Sequence, residues 1–167
     1  TVETMGNILE IPTYETSPGQ YEAYDILMTA MEQSLTDMHH KVNKLFASQN
    51  QLKNVVSELT ASPLKKKGEE LIAQLDAWDQ EMVQRKSQAY DDVENFPNKF
   101  TAEYLFLINQ TSSDIPRVNQ SSLDRKMELD AQWKILNQKA LKLIEADIPD
   151  YNKALWNEGI GAIRIGD

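Results

Sequence analysis

From Tyr24 onward, apolar positions recur with alternating steps of four and three: Tyr24, Met28, Met31, Leu35, Met38, Val42 and Leu45. That spacing aligns them along one stripe of an α-helix, in the manner of a heptad seam. The same register runs through Gln49 to Leu52, Val56 and Leu59. One helix reaching about Thr60 is therefore expected, a rod of roughly 60 Å at 1.5 Å rise per residue. Gln49 has two readings: a polar seam residue that sets register, or, with Ser48 and Asn50, the mark of a bend. Continuity is preferred, because a true loop usually resets the phase. Ser17-Pro18 with Gln20 supplies the start signal, a cap followed by proline at the first helical position.

Ser62-Pro63 repeats that signal, and Leu71, Leu75, Trp78 and Met82 continue the four-three spacing in a second helix of about 25 residues. Gly68 weakens its first turns, and Asn95-Phe96-Pro97-Asn98 should stop it. A shorter third helix is expected from about Pro97 to Gln110, with Phe100, Tyr104, Leu107 and Ile108 inward. Phe106, on another face, suggests an element enclosed on more than one side or covering a neighbour's end. Asp114 with Pro116 offers a further capped start. The last helix should run from residue 117 or 121 to Asn157, its stripe being Leu129, Trp133, Leu136, Ala140, Ile144, Ile148, Tyr151 and Leu155 with a phase adjustment near Ala140. Pro149 lies inside that stripe and should kink the helix or begin a new turn after an Asp147 cap.

These elements predict an all-α fold, an antiparallel up-down bundle of three to four helices of unequal length. A three-helix rod thickened locally by the short helix fits the lengths best. Residues 1–16 read as a lead-in segment or linker in which Ile8, Leu9 and Ile11 suit a short strand. Residues 17–158 form the bundle domain. Residues 159–167, where Gly159 and Gly161 end the last helix, read either as a short strand or as a fraying tail.

Charge narrows the partners. Seventeen Lys and Arg against 26 Asp and Glu give a net charge of −9. Such a field repels phosphate backbones, so nucleic acid is not an expected partner. Lys65-Lys66-Lys67 is the densest basic run and reads as the solvated start of a helix. No apolar stretch approaches the roughly 20 residues a membrane-spanning helix needs, so membrane insertion is not expected. Cysteine is absent, which removes disulfides, thiol nucleophiles and thiolate metal sites.

No catalytic, cofactor or metal residues emerge, and the chain is read as no enzyme. His39 and His40 are adjacent and point about 100° apart on a helix, so they cannot form the i,i+4 pair of a zinc helix. Asp37 and Lys41 suit a surface ion pair. Glu145, Asp147 and Asp150 form the most suggestive acidic group, but residues two apart diverge on a helix. No phosphate-binding, dinucleotide-binding, nucleophile-elbow or calcium-loop motif occurs. Of the three tryptophans, Trp78 and Trp133 fall on or near the stripes and read as core. Trp156, with Tyr151, is the candidate interface.

Asn95-Phe96-Pro97-Asn98-Lys99-Phe100, Ile115-Pro116, Asp147-Ile148-Pro149-Asp150-Tyr151-Asn152 and Gly159-Ile160-Gly161-Ala162-Ile163 occur in an order that resembles the C-terminal helical region of bacterial sialidase-repeat or sortilin-like (Vps10-like) β-propeller proteins, a family labelled glycosyl hydrolases. His40 to Leu45 through Gln51-Leu52 also resembles that family's first helix. Phe100-Thr101 departs from its usual Leu-Asn. The resemblance implies a helical appendage of an exported bacterial protein, periplasmic or extracellular, whose partner is the parent chain's propeller or another protein and which serves packing or association. Any hydrolase chemistry would belong to the propeller. Two other readings stay open: a contribution to a composite carbohydrate-hydrolase site, and a stand-alone helical adaptor. Oligomeric state is open as well.

Overall fold

The computed structural model describes residues 17–86 and 96–165. The lead-in segment 1–16, with its expected strand, and the second helix's expected extension past Lys86 lie outside the described residues. The chain is an all-α bundle whose elements are α1 (Pro18–Glu58), α2 (Pro63–Met82), α3 (Phe100–Ser112), α4 (Gln120–Lys142), a π-helical turn (Leu143–Asp147) and α5 (Ile148–Asn157).

α1 is one unbroken helix of 41 residues. At its start the Ser17 N–H donates to Gln20 Oε1 at 2.9 Å, and the Gln20 N–H returns to the Ser17 carbonyl at 2.9 Å. The seam residues Tyr24, Met28, Met31, Met38, Val42, Leu45, Leu52 and Val56 are buried, with Leu35 packed at the margin. Gln49 is buried among them, and its Nε2 donates to Asp76 Oδ1 of α2 at 3.0 Å. Of its two readings, the polar seam residue is the one realised. An apolar residue here would slide along α2 with little penalty, whereas an amide with one matching carboxylate fixes a level.

The cross-helix contacts give the topology. Tyr151 Oη donates to the Leu64 carbonyl (3.2 Å), Trp78 Nε1 to the Leu136 carbonyl (2.8 Å), Lys139 pairs with Glu81 (2.8 Å) and Arg125 with Glu103 (2.9 Å). Numbers rise along α2 and then α3 while they fall along α4 and α5. α2 and α3 therefore run in the same direction, end to end, antiparallel to both α1 and the last rod. Three rods result, and the short helix extends the second of them instead of thickening the bundle as expected. The break is closed by Thr101, whose buried Oγ1 donates to the Met82 carbonyl at 2.9 Å.

α2 stops at Met82, well short of the expected 25 residues. Val83-Gln84-Arg85 contains no local helix breaker, so the stop is tertiary. Arg85 turns back onto Asp79 with two bonds of 2.6 Å, its guanidinium 3.8 Å from the centre of the Phe46 ring. α3 begins at Phe100, after Pro97, with Lys99 as N-cap. α4 is capped by Asn119, whose side chain accepts from the Ser122 N–H at 2.8 Å. The expected Asp114 cap is not made, because Asp114 accepts from Asn119 Nδ2 at 3.0 Å instead.

The phase adjustment in the last rod is the π turn. Buried positions run Leu136, Ala140, Leu143, then Ile148, Tyr151 and Leu155, and the Ile148 N–H bonds the Leu143 carbonyl five residues back. One extra residue is absorbed, which moves the inward position from Ile144 to Leu143 and leaves Ile144 partly buried. Pro149 then falls in the first turn of α5, directly after the π turn. Asp147 does not cap, since its carboxylate pairs with Lys142 at 3.0 Å.

Gly159, at φ 73°, ends α5 in a Schellman arrangement: Ile160 N–H to Leu155 carbonyl (2.9 Å), Gly159 N–H to Trp156 carbonyl (3.0 Å). Among the described residues of the tail, 159–165, there is no strand. Ile163 is buried, its N–H donating to Asn152 Oδ1 (2.7 Å) and its carbonyl accepting from Asn152 Nδ2 (2.9 Å). Gln51 Oε1 of α1 accepts from the Arg164 N–H at 3.0 Å, so two amide side chains take the place of a paired strand.

At Gly68 the rods approach closely. A Cβ there would lie 2.4 Å from both Tyr151 Oη and Val56 Cγ2. Gly68→Ala is expected to lower unfolding stability by about 1–3 kcal/mol, well beyond any gain in helix propensity, as read from chemical denaturation. Spin labels at Tyr24 and Leu59 should report a separation of about 50 Å, and a much shorter distance would show α1 to be broken in solution.

Candidate functional site

The break in the second rod shapes a groove of about 660 Å³, with Ala77 and Glu81 of α2, Lys99 and Phe100 at the start of α3, and Gln132 and Ile135 of α4 in its walls. Its floor is apolar and its carboxylates are neutralised, Glu81 by Lys139 and Glu103 by Arg125. A second depression of about 420 Å³ follows beneath Phe106. Neither sets a hydroxyl or thiol nucleophile beside a histidine. The arrangement can seat an apolar side chain.

Phe106 is 62% exposed and covers no neighbour, contrary to the expectation from sequence. α3 is enclosed only on its Tyr104 side. There Phe100 stacks on Trp133 at 6.2 Å between ring centres, and Lys41 Nζ lies 5.7 Å from the Trp133 ring.

Tyr104 is fully buried where the three rods meet. Its hydroxyl donates to Asp130 Oδ1 of α4 at 2.9 Å and shares a hydrogen bond with Ser34 of α1. Burial, with Asp130 adding to it and Ser34 opposing, pushes its pKa from 10.0 up to about 12. Shielded from solvent and held neutral, it is a structural link between rods.

The candidate interface residues separate. Trp156 is 74% exposed on α5, beside a shallow depression of about 400 Å³ lined by Pro149, Asn152, Lys153 and Asn157. Tyr151 is a correction: it is 5% exposed, sealed by Gly68 and Val56 and bonded to the Leu64 carbonyl, so no partner can reach it in this fold. Trp78 and Trp133 are core. His39 and His40 are both exposed, and Asp37 pairs with Lys41. Asp147 and Asp150 are taken by Lys142 and Lys153, the latter lysine holding the Asp150 carboxyl below its ordinary pKa. Among the described residues no three His, Cys, Asp or Glu side chains gather into a metal-binding group, and no helix is long and apolar enough to cross a membrane.

Sequence reasoning passed over a different surface. α1 and α4 run side by side and parallel, since Ser34 meets Asp130 through Tyr104 and Lys41 meets Trp133. Stepping back from Ser34 at helical-neighbour spacing gives Ala30 and Ile26; stepping back from Asp130 gives Met127 and Leu123. Ile26 and Met127 are 65% and 64% exposed, Ala30 is exposed, and Leu27 and Leu123 are partly buried. The signal was present as apolar residues lying off the inward stripes.

Tyr104→Phe is expected to cost about 1 kcal/mol at neutral pH by removing the bond to Asp130. Because the folded pKa exceeds the unfolded one, the Tyr104 contribution is fully present below about pH 10 and is lost as pH rises through about 12. The stability gap between wild type and variant, followed by denaturation at pH 8 and pH 11, should therefore narrow in alkali. Comparison of the chain with models of protein families, with curated proteins and with solved structures finds no match.

Proposed function

We propose that this chain is a non-catalytic helical accessory domain of a larger exported bacterial β-propeller protein, where it serves packing or protein association. One observation carries the association part. Of the eight large apolar side chains most exposed among the described residues, six (Tyr21, Ile26, Leu105, Phe106, Ile115 and Met127) lie in the half of the rod nearest Ser17, and only Ile135 and Trp156 lie elsewhere. Isolated exposed apolar residues are ordinary on a protein surface, but concentration at one end is the mark of a covered face.

The propeller part of the proposal is supported by the motifs that carry the resemblance, three of which have a structural task in this chain. Phe100 packs on Trp133 at the mouth of α3. Ile148 and Tyr151 enter the core directly after the π turn, and Asn152 holds Ile163 of the tail. Trp156 is a second contact point, at the far end of the rod.

The experiment is to read the complete coding region. Repeated short-strand blades upstream of Thr1 are expected. An initiator Met directly before Thr1 and no further domain would overturn the parent-protein reading and leave a stand-alone adaptor.

A further inference from the structure

We propose that the depression where the end of α3 meets the start of α4 binds a small zwitterion, a free amino acid, with the ligand carboxylate at the α4 side and the ligand ammonium at the α3 side. Such a site is independent of the accessory-domain reading.

The depression has a volume of about 220 Å³, and its walls are polar apart from Leu107. Ser122 is the residue that points to a ligand. It stands one heptad before Leu129 on the inward stripe of α4, where Leu129, Trp133, Leu136 and Ala140 follow as buried apolar side chains. Ser122 is nine-tenths buried in the wall of the depression, and its hydroxyl has no hydrogen-bond partner among the described residues. Only its N–H is engaged, by Asn119. Buried hydroxyls are ordinarily partnered, so this one has its acceptor or donor to find in whatever enters the depression.

The two sides of the depression differ in polarity. On one side α4 begins, and the N–H groups of Gln120 and Ser121 lie in its first turn, ahead of any intrahelical acceptor. Arg125 lines the same side. One terminal nitrogen of its guanidinium bonds Glu103 and the other Glu128, and further N–H groups of the fork remain. With the Ser122 hydroxyl these are donors at the positive end of a helix dipole, suited to a carboxylate. On the other side α3 ends at Ser112, and Asp114 adds an exposed carboxylate at the negative end of that helix, suited to an ammonium.

The carboxamide of Asn119 ties the two sides together. Its Oδ1 accepts from the Ser122 N–H at 2.8 Å, and its Nδ2 donates to Asp114 Oδ2 at 3.0 Å. One amide group spans the gap, which sets the two sides at most about 8 Å apart, the reach of an α-amino acid with a hydrogen bond at each end. A simple anion fits less well, because Asp114 and the net charge of −9 repel it. A simple cation meets Arg125 and the first-turn N–H groups. A zwitterion satisfies both sides.

The test follows the backbone amide NMR signals of the full chain as L-alanine is added, with acetate and methylammonium as the two halves of that probe. L-Alanine is expected to shift the Gln120 and Ser121 signals saturably with a Kd of about 1 mM. Acetate and methylammonium should each bind at least about tenfold more weakly. Asp114→Asn is expected to weaken L-alanine about tenfold while acetate binds no worse, a split that general loss of structure would not give. Ser122→Ala should weaken both. No saturable shift up to about 50 mM L-alanine, the result if the Ser122 hydroxyl faces water alone, would overturn the site. Acetate binding as tightly as L-alanine would overturn the zwitterion in favour of an anion, and shifts confined to other parts of the chain would overturn the placement.

Discussion

The bundle depends on one close approach. Where α1, α2 and α5 come together, Gly68 has no side chain, and Val56 and Tyr151 occupy the space a Cβ would need. Tyr151 can stand there only because the π turn before it adds one residue and returns Ile148, Tyr151 and Leu155 to the inward side. Without that turn, the stripe running from Leu129 to Ala140 would drift off the core by Leu155. Irregular helix geometry in the last rod and the absence of a side chain in the second are two parts of one fit. The level so fixed propagates along the bundle through Gln49 with Asp76, Trp78 with the Leu136 carbonyl, and Tyr104 with Asp130.

Periodicity in the sequence reached the rods because each seam is a local property of its helix. The stripe from Tyr24 to Val56 and the inward set Phe100, Tyr104, Leu107 and Ile108 are where their spacing places them. What escaped was set by partners distant in sequence. Gly68 reads locally as a weak helix former, and only Val56 and Tyr151 turn it into a requirement. The end of α2 is decided by Arg85 reaching Asp79 and Phe46, and the direction of α3 by Thr101 bonding Met82. Tyr151 looked available because helical spacing says which residues share a face, and not what covers that face.

The surface followed the same rule in reverse. Trp156 drew attention as a large aromatic near the end of the chain, and it is exposed, but it stands alone. Ile26 and Met127 are unremarkable one at a time and lie a hundred residues apart. Their significance comes from α1 and α4 running parallel at one level, a relation that no local pattern encodes. Six of the eight most exposed large apolar side chains among the described residues gather near one end of the rods.

The bond from Thr101 to the Met82 carbonyl has an evolutionary corollary. It joins the two halves of the second rod as though residues 83–99 were not between them. At Thr101 the chain is thus back at nearly the point it left at Met82. Closing a longer connection between two such near points costs little, about 0.6 kcal/mol for each doubling of length, so its length is free to change between relatives while the three rods keep their register. Related chains, when aligned, should thus vary most in length between these two helices and hold nearly constant spacing from Gly68 to Met82 and from Thr101 to Tyr151.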